Sequence, residues 1–314
     1  METKNEESPL KIRSVRAALA AGLSLYTGNF RRIFRATWPI ALIGGLVSAL
    51  VLHYSISLIP SQIAAQLQPM QASAADSLMT ILTHSLLSLL EFVVAVLLLS
   101  YAFYMLNRHR EEGAIPYPAR WFTKPDGRSV LRTLAVAILW LVVGSVAIII
   151  PSVIVGIGIG MKSMVTIGIS AVVALLVMAL LLPFIYPTMR YVTTRDTKLF
   201  NILGSGYRQG LRYWGYIFAV LFVVTIIATI ALVITMLPTI ILLTANMKAE
   251  AGSIVGDPLG MPSYMNWLSL IVFTLSGFIQ TYILLGMLTP LYYMAGSIEQ
   301  QEIQRNETAK DTLH

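Results

Sequence analysis

Six apolar stretches, each long enough to cross a bilayer, alternate along this chain with segments that place 20 of the 22 Lys and Arg residues on one side. A hydrocarbon core about 30 Å thick is crossed by roughly 20 helical residues. That length is reached at about residues 37 to 59, 79 to 106, 131 to 160, 164 to 189, 214 to 244 and 265 to 294. In lipid no water is present to satisfy the peptide groups, so a spanning segment must be a helix or part of a closed barrel. Barrel strands alternate apolar and polar residues over about ten positions, whereas these runs are continuously apolar, as in Leu97-Leu98-Leu99 or Ile148-Ile149-Ile150. The expected fold is therefore all-α, a polytopic bundle of six transmembrane helices. Composition agrees: 56% hydrophobic residues, 12% charged residues and a mean hydropathy of +0.74 exceed what a water-soluble domain carries. The third and fifth stretches approach 30 residues, and tilting or kinks at Pro151 and Pro238 are expected to absorb the excess.

The charges orient the bundle. Seven Lys and Arg precede the first span, six lie between spans two and three, five between spans four and five, and two after span six, whereas only Lys162 and Lys248 fall on the other side. Positively charged loops stay in the cytoplasm, so both termini are expected there, in the cytoplasmic (inner) membrane of a bacterium. The outer connections are then residues 60–78, a tight turn at Met161 to Ser163, and residues 245–264. The chain divides into a cytoplasmic or interfacial segment 1–36, a six-helix domain 37–294 and a charged tail 295–314, which lacks aromatics beyond Glu299 and is expected to fray. Segment 1–36 has no h-region ahead of a small-residue cleavage site, so the first span is the expected insertion signal. The net charge of +7 flanks the spans instead of forming a soluble basic patch, which argues for anionic headgroups and against nucleic acid. With no Cys, thiol chemistry and disulfides are excluded.

The spans read as three copies of one two-helix unit. Thr27-Gly28-Asn29-Phe30-Arg31-Arg32, Asp126-Gly127-Arg128 and Gln209-Gly210-Leu211-Arg212-Tyr213-Trp214 precede the odd spans. Ile59-Pro60-Ser61, Ile150-Pro151-Ser152 and Leu237-Pro238-Thr239 follow 91 and 87 residues apart. The even spans close in Ser100-Tyr101-Ala102-Phe103-Tyr104, Pro183-Phe184-Ile185-Tyr186 and Pro290-Leu291-Tyr292-Tyr293. A repeat of about 90 residues accounts for these matches; so does the general gathering of aromatics at membrane interfaces, and the sequence leaves both explanations open. Parallel repeats in odd number do not match the inverted repeats of many secondary transporters.

Leu10, Ile12, Val15, Leu19, Leu23, Tyr26 and Phe30 recur near helical spacing among basic residues. They predict an amphipathic interfacial helix on the inner leaflet; packing on the underside of the bundle is the alternative. Within the spans Glu91 is the one deep acid, and Gln280 lies at a matching depth, within reach of a direct hydrogen bond. Such a residue is either a protonatable transport site or a protonated inter-helix bond worth on the order of 1 kcal/mol. Gly156-Ile157-Gly158-Ile159-Gly160 lacks the strand and the Lys-Ser/Thr of a phosphate loop and reads as close packing or a tight hairpin. His53, His84 and His109 show no zinc-binding spacing and read as interfacial, and Ser205 has no His or Asp arranged to activate it. No catalytic, cofactor-binding or metal-binding residue emerges, and no enzyme is expected. The candidate contacts for lipid headgroups or for another membrane or cytoplasmic protein are Arg31, Arg32, Arg35, Arg120, Trp121, Lys124, Arg208, Arg212 and Trp214.

Leu25-Tyr26-Thr27-Gly28-Asn29-Phe30, the run Gly204 to Trp214 and Thr289-Pro290-Leu291-Tyr292-Tyr293 together resemble the pattern of uncharacterised bacterial six-span membrane proteins. Over residues 20 to 298 the chain is similar to the membrane domain associated with glycerophosphodiester phosphodiesterases, without that family's soluble barrel. The resemblance implies a six-helix inner-membrane module and assigns no functional residue. Two functions follow as expectations: a non-enzymatic module that binds lipid or a partner, or a small transporter or lipid translocator that uses Glu91.

Overall fold

The computed structural model describes residues 8–58, 74–116, 125–194, 197–254, 262 and 264–311, and they contain no strand. The helices are α1 (Val15–Ser57), α2 (Ala74–Glu112), α3 (Gly127–Gly160), α4 (Met164–Leu181), α5 (Ile185–Thr193), α6 (Tyr207–Arg212), α7 (Trp214–Ile254) and α8 (Tyr264–Asp311). A 3-10 turn at Leu182–Phe184 joins α4 to α5, and a π turn at Ile202–Gly206 leads into α6. Six helical stretches are long and apolar enough to cross a membrane, with α4 and α5 together forming the fourth. The protein is a multi-pass, all-α membrane protein.

The helices outrun the apolar windows at their basic ends. α1 starts at Val15 rather than near residue 37, so the amphipathic segment is helical from Val15 onward as the opening of the first long helix, while Leu10 and Ile12 precede it. Its Val-Arg-Ala-Ala-Leu-Ala-Ala run favours helix, and charged residues beyond the hydrocarbon carry no desolvation penalty. α8 likewise continues to Asp311, and the tail expected to fray is ordered helix over residues 295–311. Pro183 does interrupt its span, because proline removes an N–H and clashes with the preceding turn. Pro151 and Pro238, expected as kink sites, lie inside α3 and α7 without ending either helix. The hairpin between α3 and α4 is as tight as the glycine run predicted. Ser163 donates its N–H to Gly158 O at 2.8 Å, its side chain caps Thr166 N, and a Cβ at Gly158 would lie 2.9 Å from Ile167.

The chain forms two compact units. Unit 1 contains residues 1–33, 100–225 and 286–314; unit 2 contains 34–99 and 226–285. Unit 2 is held by apolar and small-residue packing. Ala49, Ile56 and Phe273 are buried against Leu52, Leu242, Leu243 and Leu270. Gly45 meets the backbone of α8, where an added Cβ would lie 2.5 Å from Thr274 O, and a Cβ at Gly277 would lie 3.0 Å from Gly45 Cα. Close helix crossing through small residues is how membrane helices gain dispersion contact when lipid competes for every apolar surface. Phe34 stacks on Tyr282 with ring centroids 5.3 Å apart, and Phe278 meets the edge of the same ring. Asn246 donates to Ser269 at 2.9 Å, satisfying two buried polar groups together.

Unit 1 is built differently. Tyr101, Tyr186 and Tyr292, one from each aromatic cluster that closes an even span, are completely buried. Gly22 lets α1 lie directly on the backbone of Thr289 and Pro290, where any Cβ would collide, and Gly210 similarly meets Pro183. Gly28, the glycine of the first sequence motif, faces open space.

Candidate functional site

Unit 1 gathers its charges around the end of α8. Glu299 and Glu302 lie three residues apart, on one helix face, and both are buried. Glu299 accepts from Arg110 of α2 at 2.8 Å and lies 3.5 Å from Arg190 of α5. Glu302 accepts from Arg212 of α6 at 2.7 Å, with Arg305 at 3.9 Å. The end of α8 therefore ties together three elements far apart in sequence. A carboxylate taken out of water is costly unless several donors replace the solvent, and here each acid has two cationic neighbours. This explains why the polar tail continues as helix and does not fray. Tyr213 joins the network, and burial followed by its hydrogen bond to Glu302 pushes its phenol above the usual value.

The N-terminal approach to α1 is fastened to the same helix. Arg13 N donates to Ser297 Oγ at 2.9 Å, and the Arg13 guanidinium donates to Ser8 O at 2.7 Å while lying 4.7 Å over the Tyr293 ring. Burial, opposed by the nearby tyrosines, draws the Arg13 pKa below its ordinary value; an arginine still stays protonated at neutral pH.

Beside these contacts lies a cavity of about 490 Å³, formed by the early turns of α1, the end of α2 and α8. Its polar lining is Ser24, Asn29, Arg32, His109 and Tyr293; Leu25 and Ile115 add apolar surface, and Gly28 leaves the wall of α1 bare. Among the described residues no carboxylate lines it. Gly113 closes α2 with φ at 73°, the left-handed cap that glycine adopts without strain, and its N–H returns to His109 O at 2.9 Å. That turn brings Ile115 back so that its carbonyl accepts from Arg32 Nη1 at 2.9 Å. His109 is almost fully buried, and its Nδ1 lies 3.1 Å from the Tyr292 hydroxyl. It is a buried residue of the cavity wall.

The residues expected to form an inner-surface contact have divergent roles. Arg32 lines the cavity, while Arg31 and Arg35 stand exposed on the same helix. Arg208 is exposed, Arg212 is committed to Glu302, and Trp214 donates its Nε1–H to Ala179 O at 2.9 Å while stacking on Phe218. Arg120, Trp121 and Lys124 lie outside the described residues. In unit 2 Glu91 accepts from Ser48 Oγ at 2.6 Å, and Gln280 donates to Ser276 Oγ at 3.1 Å, so each has a serine partner and not the direct bond that their matching depth allowed.

Sequence reasoning missed Glu299, Glu302 and Gly22. The one available signal was a pair of acids at i and i+3 directly after an apolar span, on the basic side, where an unpaired acid face would be unusual. Among the described residues no group of three or more His, Asp and Glu side chains is placed to hold a metal ion. Chemically, the site offers one cation and several neutral hydrogen-bonding groups around a recess, suited to binding an anion. Comparison of the chain with family models, with well-described proteins and with solved structures returns no match.

Proposed function

We propose that this chain is a non-enzymatic module of the bacterial cytoplasmic membrane, with both termini inside, whose basic inner face binds anionic lipid headgroups and presents a docking surface to a membrane or cytoplasmic partner. The observation that carries the reading is the concentration of cations: 20 of the 22 Lys and Arg belong to unit 1, all but Lys162 of them on the side that the charge bias assigns to the inside, and several, Arg16, Arg31 and Arg208 among them, point outward. Each basic residue near an anionic leaflet contributes about 1 kcal/mol of attraction, so a handful is enough to enrich such lipids around the protein. The likeness of residues 20 to 298 to the membrane domain associated with glycerophosphodiester phosphodiesterases supports the same reading, with no activity of its own implied.

The test is lipid composition around the purified full chain. In nanodiscs of mixed phosphatidylethanolamine and phosphatidylglycerol, the lipid retained after detergent exchange is expected to be enriched in phosphatidylglycerol, and less so in the Arg31→Gln/Arg208→Gln double variant. A retained shell with the bulk composition overturns the proposal.

A second reading, transport through Glu91, draws on the short Ser48–Glu91 hydrogen bond inside otherwise apolar helices. It requires Glu91→Gln to abolish flux in proteoliposomes while leaving the folded protein intact.

A further inference from the structure

We infer that the 490 Å³ cavity in unit 1 is a stoichiometric site for a single phosphate group, with Arg32 as its cation, distinct from diffuse attraction of lipid to the basic face. The inference rests on the lipid-binding reading only for the lipid form of the ligand. Four observations carry it. The cavity falls in the 300–1,000 Å³ range of small-molecule sites and is open on one side, so it admits a headgroup.

Arg32 is half-buried and meets no carboxylate among the described residues; its one acceptor there is Ile115 O, which uses Nη1 and leaves the remaining N–H groups of the fork for a ligand. This contrasts with Arg110 and Arg212, whose guanidinium groups are neutralised by Glu299 and Glu302. Ser24, Asn29 and Tyr293 supply neutral hydrogen-bonding groups around the same space, and among the described residues no acid lines it to repel an anion. Asn29 donates to Leu25 O, and His109 is held by Tyr292, so the walls are preorganised. Finally, Gly28 leaves the α1 wall open, with no atom within 4 Å of where a Cβ would stand. Arginine pairs with phosphate bidentately because its donors match the spacing of the phosphate oxygens.

Two variants test the site without threatening the fold. Arg32→Gln removes the cation, and Gly28→Leu extends a side chain into the recess from a position where an added Cβ has no atom within 4 Å. Lys162→Gln, an exposed charge at the turn between α3 and α4 that belongs neither to the cavity lining nor to the basic inner face, controls for net charge. The probe is dioleoyl phosphatidylglycerol added to the delipidated full chain in neutral detergent, counted by native mass spectrometry, with inorganic phosphate as competitor. One tightly held lipid per wild-type chain is expected, with binding weakened about tenfold in both cavity variants, the loss of a charge-assisted contact, and unchanged in the control.

Displacement by millimolar inorganic phosphate would identify a soluble phosphate as the ligand; resistance to it would identify a headgroup with its acyl chains. If wild type, Arg32→Gln and Gly28→Leu hold the lipid alike, the site is overturned. Anionic enrichment in nanodiscs would then still stand as the broader reading. Loss of that enrichment, with phosphate still bound at Arg32, would instead remove the broader reading and keep the site.

Discussion

The two units divide the chain's charge very unequally. Unit 2 contains only Arg35 and Lys248 of the 22 Lys and Arg, and its described interior is held by Gly45 against Gly277, by Phe34, Phe278 and Tyr282, and by leucines around Phe273. Unit 1 holds the rest of the basic residues and buries two carboxylates among them. Both units face the same difficulty, that lipid competes for apolar surface and so helices do not associate merely because they are apolar. Both units bring backbones together at glycines; unit 2 adds aromatic stacking and apolar packing, and unit 1 adds charge-assisted hydrogen bonds between elements distant in sequence. Within unit 1 the hairpin of α3 and α4 is an exception, since only 11% and 6% of their apolar windows are buried against 33% for α1. Most of its apolar surface is exposed on the chain, and its anchorage lies at its basic ends. There Arg132 donates to the carbonyls of Tyr191, Thr194 and Thr197, and Trp140 donates to Thr188 at 3.2 Å.

This comparison predicts a ranking of mutational costs. The largest loss is expected for Glu299→Ala, which leaves Arg110 and Arg190 without their acid; stranding a buried charge costs about 3–5 kcal/mol. Thermal unfolding of the purified protein in detergent reads it directly, and a midpoint close to wild type would show that the network contributes little. Next comes Gly45→Leu in unit 2, where the new side chain must displace the α8 backbone at Thr274. Overpacking of this kind costs about 1–3 kcal/mol, and the same assay should place it below Glu299→Ala. The smallest effect is expected for Ser48→Ala, which removes one intramembrane hydrogen bond from Glu91 at a cost of about 1 kcal/mol or less. If Ser48→Ala proves as damaging as Glu299→Ala, the contrast between a charge-held and a packing-held unit collapses. If instead Gly28→Leu raises the unfolding midpoint slightly while weakening lipid retention, the contrast sharpens, because replacing a helical glycine at an open position gains about 0.5–1 kcal/mol of helix stability.

Much of the fold could be read from the residues in order. The six spans, the all-α class and the tight turn at residues 161–163 depend on local properties, namely runs of apolar side chains and a glycine-rich end. The ordered helix beyond residue 295 was not legible, because a charged segment such as Glu299-Gln300-Gln301-Glu302 has the composition of a solvated tail until Arg110, Arg190 and Arg212 are brought against it. The candidate site was half visible. Arg32 was among the basic residues singled out, but nothing distinguished it from Arg31 or Arg35, since their roles depend on the rotation of α1 about its own axis.

The sequence alone determined how many times the chain can cross a membrane and which ends of its spans are basic, because transfer of about 20 apolar residues into lipid is nearly additive along the chain and the Lys and Arg bias is counted loop by loop. The tertiary structure alone decided which charges pair and which are left for a ligand. Arg32 meets Ile115 across 83 residues and Arg110 meets Glu299 across 189. Hydrogen bonds and ion pairs act over a few ångströms, so their partners are set by helix position and rotation, which local composition does not encode.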